Sequence, residues 1–236
     1  MMFFIEFNDI SNLDLAIHVI QRPSIPIPKK KFNEIDVDEY DGIAYEDLET
    51  YEDLEIQVDF NFSVDDIKDI RKVVKRVKNW LKQTPEDTLC FSDNKDYFYK
   101  VKKVVISNFT YENLYEIQNF NVTFTCDPWE YVIDGKEKRI LNDYLENFYS
   151  TSKPIYTVIG NGECLLTVNG NECSLKVENS ININCESGLI YYDNGEYCTS
   201  NVKLEEFSDL YLTEGTNKFS ITNGFNAYII PNFRSI

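Results

Sequence analysis

Residues 63–82 read SVDDIKDIRKVVKRVKNWLK, and the rest of the chain is arranged around them. Ile67, Ile70, Val74, Val77 and Leu81 recur at steps of three and four, which lays them on one stripe of a 3.6-residue period. Ser63 has the chemistry of an N-cap. Asp66 stands where it closes an approximate capping box, and Asp65 and Asp66 put negative charge at the positive end of the helix dipole. Pro85 lies just beyond and cannot continue the helix. The spacing therefore predicts one long helix over 63–82, about 30 Å in length. Its other face carries Lys68, Arg71, Lys72, Lys75, Arg76, Lys78 and Lys82. Pairs such as Lys68/Lys72 and Lys72/Arg76 are like charges one turn apart, each opposing the helix by about 0.2–0.5 kcal/mol. Such a face is either simply solvated or meets an acidic surface, on this chain or on a neighbour.

Outward from the helix the period changes to two. Ile56, Val58, Phe60 and Phe62 alternate with Gln57, Asp59 and Asn61, a half-buried strand leading into the helix. Phe120, Val122, Phe124 and Cys126 alternate with Asn121, Thr123 and Thr125, and Asp127-Pro128 is expected to end that strand. Shorter strands are expected over Met2–Phe7, Ala16–Ile20, Thr88–Phe91 and Tyr97–Phe109. Pro23, Pro26 and Pro28 make an extended, polyproline-like run. From Asp36 to Glu55 ten carboxylates crowd an acidic loop or hairpin around an Asp41-Gly42 turn, without the spacing of a calcium loop. Residues 136–153 are charged and weakly helical, and read as a linker.

Beyond Pro154 the alternation continues through Cys164, Leu166 and Val168, turns at Asn169-Gly170, and resumes at Cys173, Leu175, Val177, Ile181, Ile183 and Cys185. Gly160–Gly162 is read as a turn. Many short strands with regular turns and no helix predict a β-sandwich. The fold class is mainly β: an N-terminal β domain over 1–135 containing the helix, the linker, and the sandwich over 154–236.

The net charge of −17 and isoelectric point near 4.4 argue against specific nucleic-acid binding or an anionic membrane as partner. No apolar run is long enough to span a membrane, and the opening MMFFIEFND is expected to be a strand rather than a signal peptide, with folding in a cytoplasm. Cys90, Cys126, Cys164, Cys173, Cys185 and Cys198 contain no CxxC and are read as reduced core residues. GxSxG, HExxH, P-loop and GxGxxG patterns are absent, and His18, the one histidine, sits in an apolar strand. The expectation is no enzyme, with no catalytic residue, cofactor or metal.

Several phrases together resemble a known family. These are the Asp41-Gly42 loop before a strand and a single helix, the strand closing in CDPWEY (Cys126 to Tyr131), the opening PIYTVIGNGECLLTVNG (Pro154 to Gly170), and LYLTEGTNKFSI (Leu210 to Ile221). Over essentially the whole chain this is similar to the distal tail proteins of long-tailed bacteriophages and to related phage-like tail components of Gram-positive hosts. The resemblance implies that the N-terminal domain forms a hexameric ring at the end of the tail tube, with a galectin-like sandwich projecting from it. The partners implied are further copies of the chain, the tail tube protein, the tail-tip or tail-associated lysin protein, and a receptor-binding protein or host surface glycan. DNA would pass through the lumen. The location implied is the virion tail, with assembly in the host bacterial cytoplasm.

Two sets of residues are singled out on that frame. Lys72, Lys75 and Arg76 on the helix, with Asp41, Asp47 and Asp53 in the acidic segment, are candidates for an inter-subunit contact, the alternative being that the acids line the lumen. Tyr191, Tyr192 and Tyr197 are candidates for stacking a sugar, should the sandwich be a carbohydrate-binding module.

Overall fold

A computed structural model describes residues 2–38, 41–82, 87–107, 110–113 and 117–236, with the backbone alone described for 67, 110–113 and 117. Pro85 and the far end of the strand expected over Tyr97–Phe109 fall outside them. The chain divides into two compact units, Met1–Glu130 and Tyr131–Ser235.

The first unit contains β1 (Ile5–Phe7), β2 (Ile10–Ser11), β3 (His18–Val19), β4 (Lys30–Ile35), β5 (Ala44–Tyr51), β6 (Leu54–Phe62), α1 (Ile70–Trp80), β7 (Asp87–Phe91), β8 (Asn94–Ile106), β9 (Thr110–Asn113) and β10 (Ile117–Val132). One sheet runs in the order β2-β1-β7-β8-β10-β6-β3, with β9 also on β10. Along β6 and β10 the register sets Phe60 against Phe120, Val58 against Val122, Ile56 against Phe124 and Leu54 against Cys126. All eight are buried, so the alternation read from the sequence is the inward face of the sheet. β10 continues past Asp127-Pro128 to Val132 instead of ending there. Pairing with β6 stops at Cys126, so Pro128 lies beyond the ladder on that edge, where its missing N–H costs nothing.

The two ends of the sheet curl toward each other. Asn12 is fully buried between them; its Oδ1 accepts from the backbone N–H of Ile5 at 2.8 Å and its Nδ2 donates to the carbonyl of Ile17 at 2.7 Å.

The helix is shorter than the periodicity predicts. A 3-10 turn occupies Ile67–Asp69 and the α-helix spans Ile70–Trp80, about 16 Å at 1.5 Å per residue. Asp69, not Ser63, is the N-cap residue, and no side chain caps it. Asp66 instead closes a local turn, accepting from the Lys68 N–H at 3.0 Å, and that competes with the helix. The buried stripe is Ile70, Val73, Val77 and Trp80, followed by Leu81, while Val74 is only half-buried. Trp80 stands edge-on to both Phe7 and Phe60, at centroid distances of 6.2 and 6.1 Å.

The second unit contains β11 (Arg139–Ile140), β12 (Tyr144–Asn147), β13 (Ile155–Val168), β14 (Asn171–Asn184), β15 (Leu189–Tyr191), β16 (Val202–Lys203), β17 (Gly215–Ile221), β18 (Asn226–Ile230) and β19 (Arg234–Ser235). Residues 136–153 are therefore not an α-helix: a 3-10 turn ends at Lys136, β11 pairs β18 and β12 pairs β17. β13 and β14 form an unbroken antiparallel ladder joined at Asn169-Gly170, where both residues have positive φ. Along the other edge of β13 the partner changes. Ile155–Ile159 pair with β18, and Leu166–Val168 pair with β17. Gly160 and Gly162 lie between, and Gly162 has a φ of +113°, so the GNG read as a turn is the corner of a continuous strand. The bent hairpin so made serves two leaves, one with β18, β11 and β15 and one with β17, β12 and β16. Their inner faces meet where Tyr156 approaches Phe219 at 6.5 Å and Tyr156 Oη donates to the carbonyl of Leu210 at 2.9 Å.

Five of the six cysteines are buried and Cys90 is half-buried. Burial pushes the thiols of Cys126, Cys173 and Cys185 up to about 12, so they remain protonated, apolar filling.

Candidate functional site

The acidic segment is a hairpin. β4 and β5 make a two-stranded sheet of their own, and none of the described residues from 29 to 53 is buried. The register sets Phe32 against Asp47 and Glu34 against Tyr45, so these four share a face, and the rings of Phe32 and Tyr45 meet edge-on at 6.2 Å. Phe32 is 49% exposed and Tyr45 62%. Ile35, Val37, Ile43 and Leu48 on the same hairpin are exposed as well.

The three aspartates expected here have different surroundings. Asp47 accepts from Lys30 Nζ at 2.7 Å; that hydrogen bond holds its carboxyl below the ordinary range and raises the Lys30 amine. Asp53 lies 2.6 Å from Lys102 Nζ, which also reaches Asp127 at 3.0 Å. Burial lowers the Lys102 amine, but hydrogen bonds to Asp53 and Asp127 outweigh it and the net shift is upward. Asp41 is exposed at the bend beyond β4 and has no cation partner among the described residues. Two of the three are thus neutralised within the chain by lysines distant in sequence.

On α1, Arg71, Lys72, Lys75, Arg76 and Lys78 are all exposed. Lys72 Nζ meets Asp69 at 2.7 Å, a bond that raises the amine, while Lys75 and Arg76 have no acidic partner among the described residues. No ion pair among the described residues joins this face to the acidic hairpin of the same chain.

Of the three tyrosines, Tyr191 and Tyr197 are bridged through their backbones, and Tyr197 is 71% exposed. Tyr192 alone lines a cavity of about 390 Å³, together with Glu178, Asn179, Ser180, Asp193, Asn194 and Glu196. Partial burial, with Glu178 close by, raises its phenol, whose oxygen accepts from Asn201 Nδ2 at 2.7 Å. Hydrogen bonds from Ser180 and then Asn182 hold the Asp193 carboxyl below its usual range. Asn182 Nδ2 donates to Asp193 Oδ1 at 2.8 Å, and Asn182 Oδ1 accepts from Thr157 Oγ1 at 2.8 Å. Asn182, the twelfth residue of β14, lies eleven positions before Asp193, and nothing in the local pattern signals that it reaches across.

Among the described residues no group of histidine, cysteine, aspartate and glutamate is arranged to hold a metal, and no helix is long and apolar enough to cross a membrane. His18 lies exposed on β3.

Comparison with known proteins draws these observations together. Residues 10–126 match the family model of the phage tail protein RIFT-related domain. No curated protein sequence matches. Among solved structures, the Dit protein (gp 19.1) of phage SPP1, described as a paradigm of hub adsorption apparatus in phages infecting Gram-positive hosts, superimposes with a TM-score of 0.70 at 13% identity, covering 100% of both chains. A chain of the phage P2 baseplate in its activated conformation with calcium gives 0.54 at 8% identity, covering 100% of this chain and 99% of that one. A chain of the strontium form gives 0.51 at 10%, covering 97% and 98%. Residues 10–126 thus match the phage tail protein RIFT-related domain, and the chain as a whole shares the fold of the SPP1 Dit protein.

Proposed function

We propose that the chain is a structural protein of a bacteriophage tail. It forms a hexameric hub ring at the distal end of the tail tube, joins the tube to the tail-tip or lysin protein and to host-binding parts, and leaves a lumen for DNA. The observation that carries this reading is the correspondence of the whole chain, both units included, with the whole SPP1 hub protein. On this reading residues 1–135 build the ring, and a galectin-like sandwich over 154–236 projects from it. The role is architectural rather than catalytic, and assembly takes place in the bacterial cytoplasm before the virion is released. The test is the mass and shape of the purified protein by light scattering and negative-stain microscopy. Closed six-fold rings with a central hole are expected; a strict monomer at every concentration overturns the ring.

A second reading has one observation in its favour. The cavity beside Tyr192 is lined by planar polar side chains, Asp193, Asn194, Asn179 and Glu196, with the exposed Tyr197 one residue further along. Paired acceptors and donors beside an aromatic ring suit sugar hydroxyls. Binding to a glycan array that is lost on Asp193→Ala would support a carbohydrate site; an empty array ends that reading and leaves the hub untouched.

A further inference from the structure

We propose that the β4–β5 hairpin is the arm by which one copy of the chain holds the next. Its aromatic face and unpaired carboxylates seat on the basic face of α1 in the neighbouring copy. The inference rests on the ring reading and names the contact that closes the ring.

An isolated two-stranded hairpin is marginal in water, and this one has no buried residue among those described, with Tyr51 at its base packed edge-on against Trp129 at 5.5 Å. Yet it displays Phe32 and Tyr45 side by side on one face, flanked by Glu34. Exposed apolar side chains grouped in this way mark a surface that is covered in the working state. The charge pattern says by what. Asp47 and Asp53 are already satisfied by Lys30 and Lys102. Glu34, Asp36, Asp38 and Asp41 have no cation among the described residues. On α1 the converse holds, with Arg71, Lys75 and Arg76 exposed and without an acid among the described residues. Among the described residues the two sets do not neutralise each other within one chain, so each is complementary to the other set on a second copy. Two hairpins cannot pair with each other, because both are acidic, and two helices cannot, because both are basic. What remains is a head-to-tail contact, the kind that propagates around a ring until it closes.

An apolar landing site adjoins the helix as well. Ile10 and Leu13 are exposed at 44% and 37%, and Trp80 at the end of α1 donates to the Ile10 carbonyl at 3.1 Å. The same end of the unit thus offers exposed apolar side chains to a partner as well as basic ones on α1.

The experiment uses charge exchange in the full chain. One variant carries Lys72→Glu, Lys75→Glu and Arg76→Glu; a second carries Asp36→Lys, Asp38→Lys and Asp41→Lys; a third carries all six. Each is first checked for an unchanged circular dichroism spectrum and melt, which substitutions at exposed positions should leave intact. Assembly is then followed by light scattering and negative stain at low and high salt. Each triple variant should lose at least tenfold in assembled fraction at low salt, and the sixfold variant should recover it. A separate pair, Phe32→Ser with Tyr45→Ser, should stay folded and fail to assemble at either salt. If the wild type forms rings and both triple variants form them equally well, the hairpin contact is wrong and the ring stands. Failure of the sixfold variant to recover where the triples fail also overturns the contact. A wild type that never leaves the monomer overturns contact and ring together.

Discussion

The indole N–H of Trp80 donates to the backbone carbonyl of Phe7 at 3.2 Å, tying the last turn of α1 to the first strand of the sheet. The same N–H is shared with the carbonyl of Ile10 at 3.1 Å. One side chain thus anchors the helix by both packing and hydrogen bonding. Trp80→Phe keeps most of the packing but leaves a buried carbonyl unsatisfied, a loss of about 1–3 kcal/mol. Trp80→Ala adds a cavity beneath Phe7 and Phe60, for a loss of about 3–5 kcal/mol. Urea unfolding of the three proteins should rank them in that order.

Gln118 stands at the start of β10, 1% exposed, and both of its amide atoms lack a partner among the described residues. A buried amide without hydrogen bonds costs more than an apolar side chain of similar length. Gln118→Met should therefore raise the stability of the monomer, by about 1–3 kcal/mol. A melting temperature that falls would mean the amide has a partner in solution.

The corner of β13 depends on glycine. At Gly162 no atom lies within 4 Å of where a Cβ would stand, so Gly162→Ala meets only the strain of a φ near +113°, about 1–2 kcal/mol. At Gly160 a Cβ would come within 2.3 Å of the Phe225 ring, which would have to move. Gly160→Ala should therefore be the more damaging of the two, as differential scanning calorimetry can show.

Asp193 links stability to pH. Its folded carboxyl titrates below the usual value because Ser180 and Asn182 donate to it. A depressed folded pKa means stability that is fully present above the unfolded value of about 3.9 and lost as pH falls through the folded one. The wild type should therefore melt slightly higher than Asp193→Ala near neutrality, and the difference should shrink as pH falls below the unfolded value and through the folded one. The effect is small, because the side chain is exposed and screened. A difference that persists unchanged into strong acid would assign it to packing.

Which parts of this were legible in the sequence follows from range. The inward faces of β6 and β10 were, because period-two alternation is local and burial enforces it. The Asn169-Gly170 turn was, for the same reason. The helix start was not: Ser63 is as good a cap on paper as any, but the Asp66 side chain closes a turn that holds the chain out of the helix until Asp69. Nor was the burial of Val73, since an aliphatic stripe drawn through Val74 fits the period equally well while the sheet beneath selects the neighbouring phase. Residues 144–147 show no alternation; they are extended because β17, some seventy residues on, pairs with them. The split among the candidate aspartates was invisible for a like reason, Lys102 lying 49 positions from Asp53.

The ladder between β13 and β14 also sets an order of events. Its two strands of 14 residues are joined by a two-residue turn, so each pairing from the tip outward closes the smallest loop available. β12 must find β17 across the entire ladder, which makes it a late arrival. In the second unit, then, substitutions at Asn169-Gly170 should chiefly slow folding, whereas those in β12 should chiefly hasten unfolding. A newly made chain could pair this hairpin before β17 and β18 have left the ribosome, and their later docking on β13 would stabilise it.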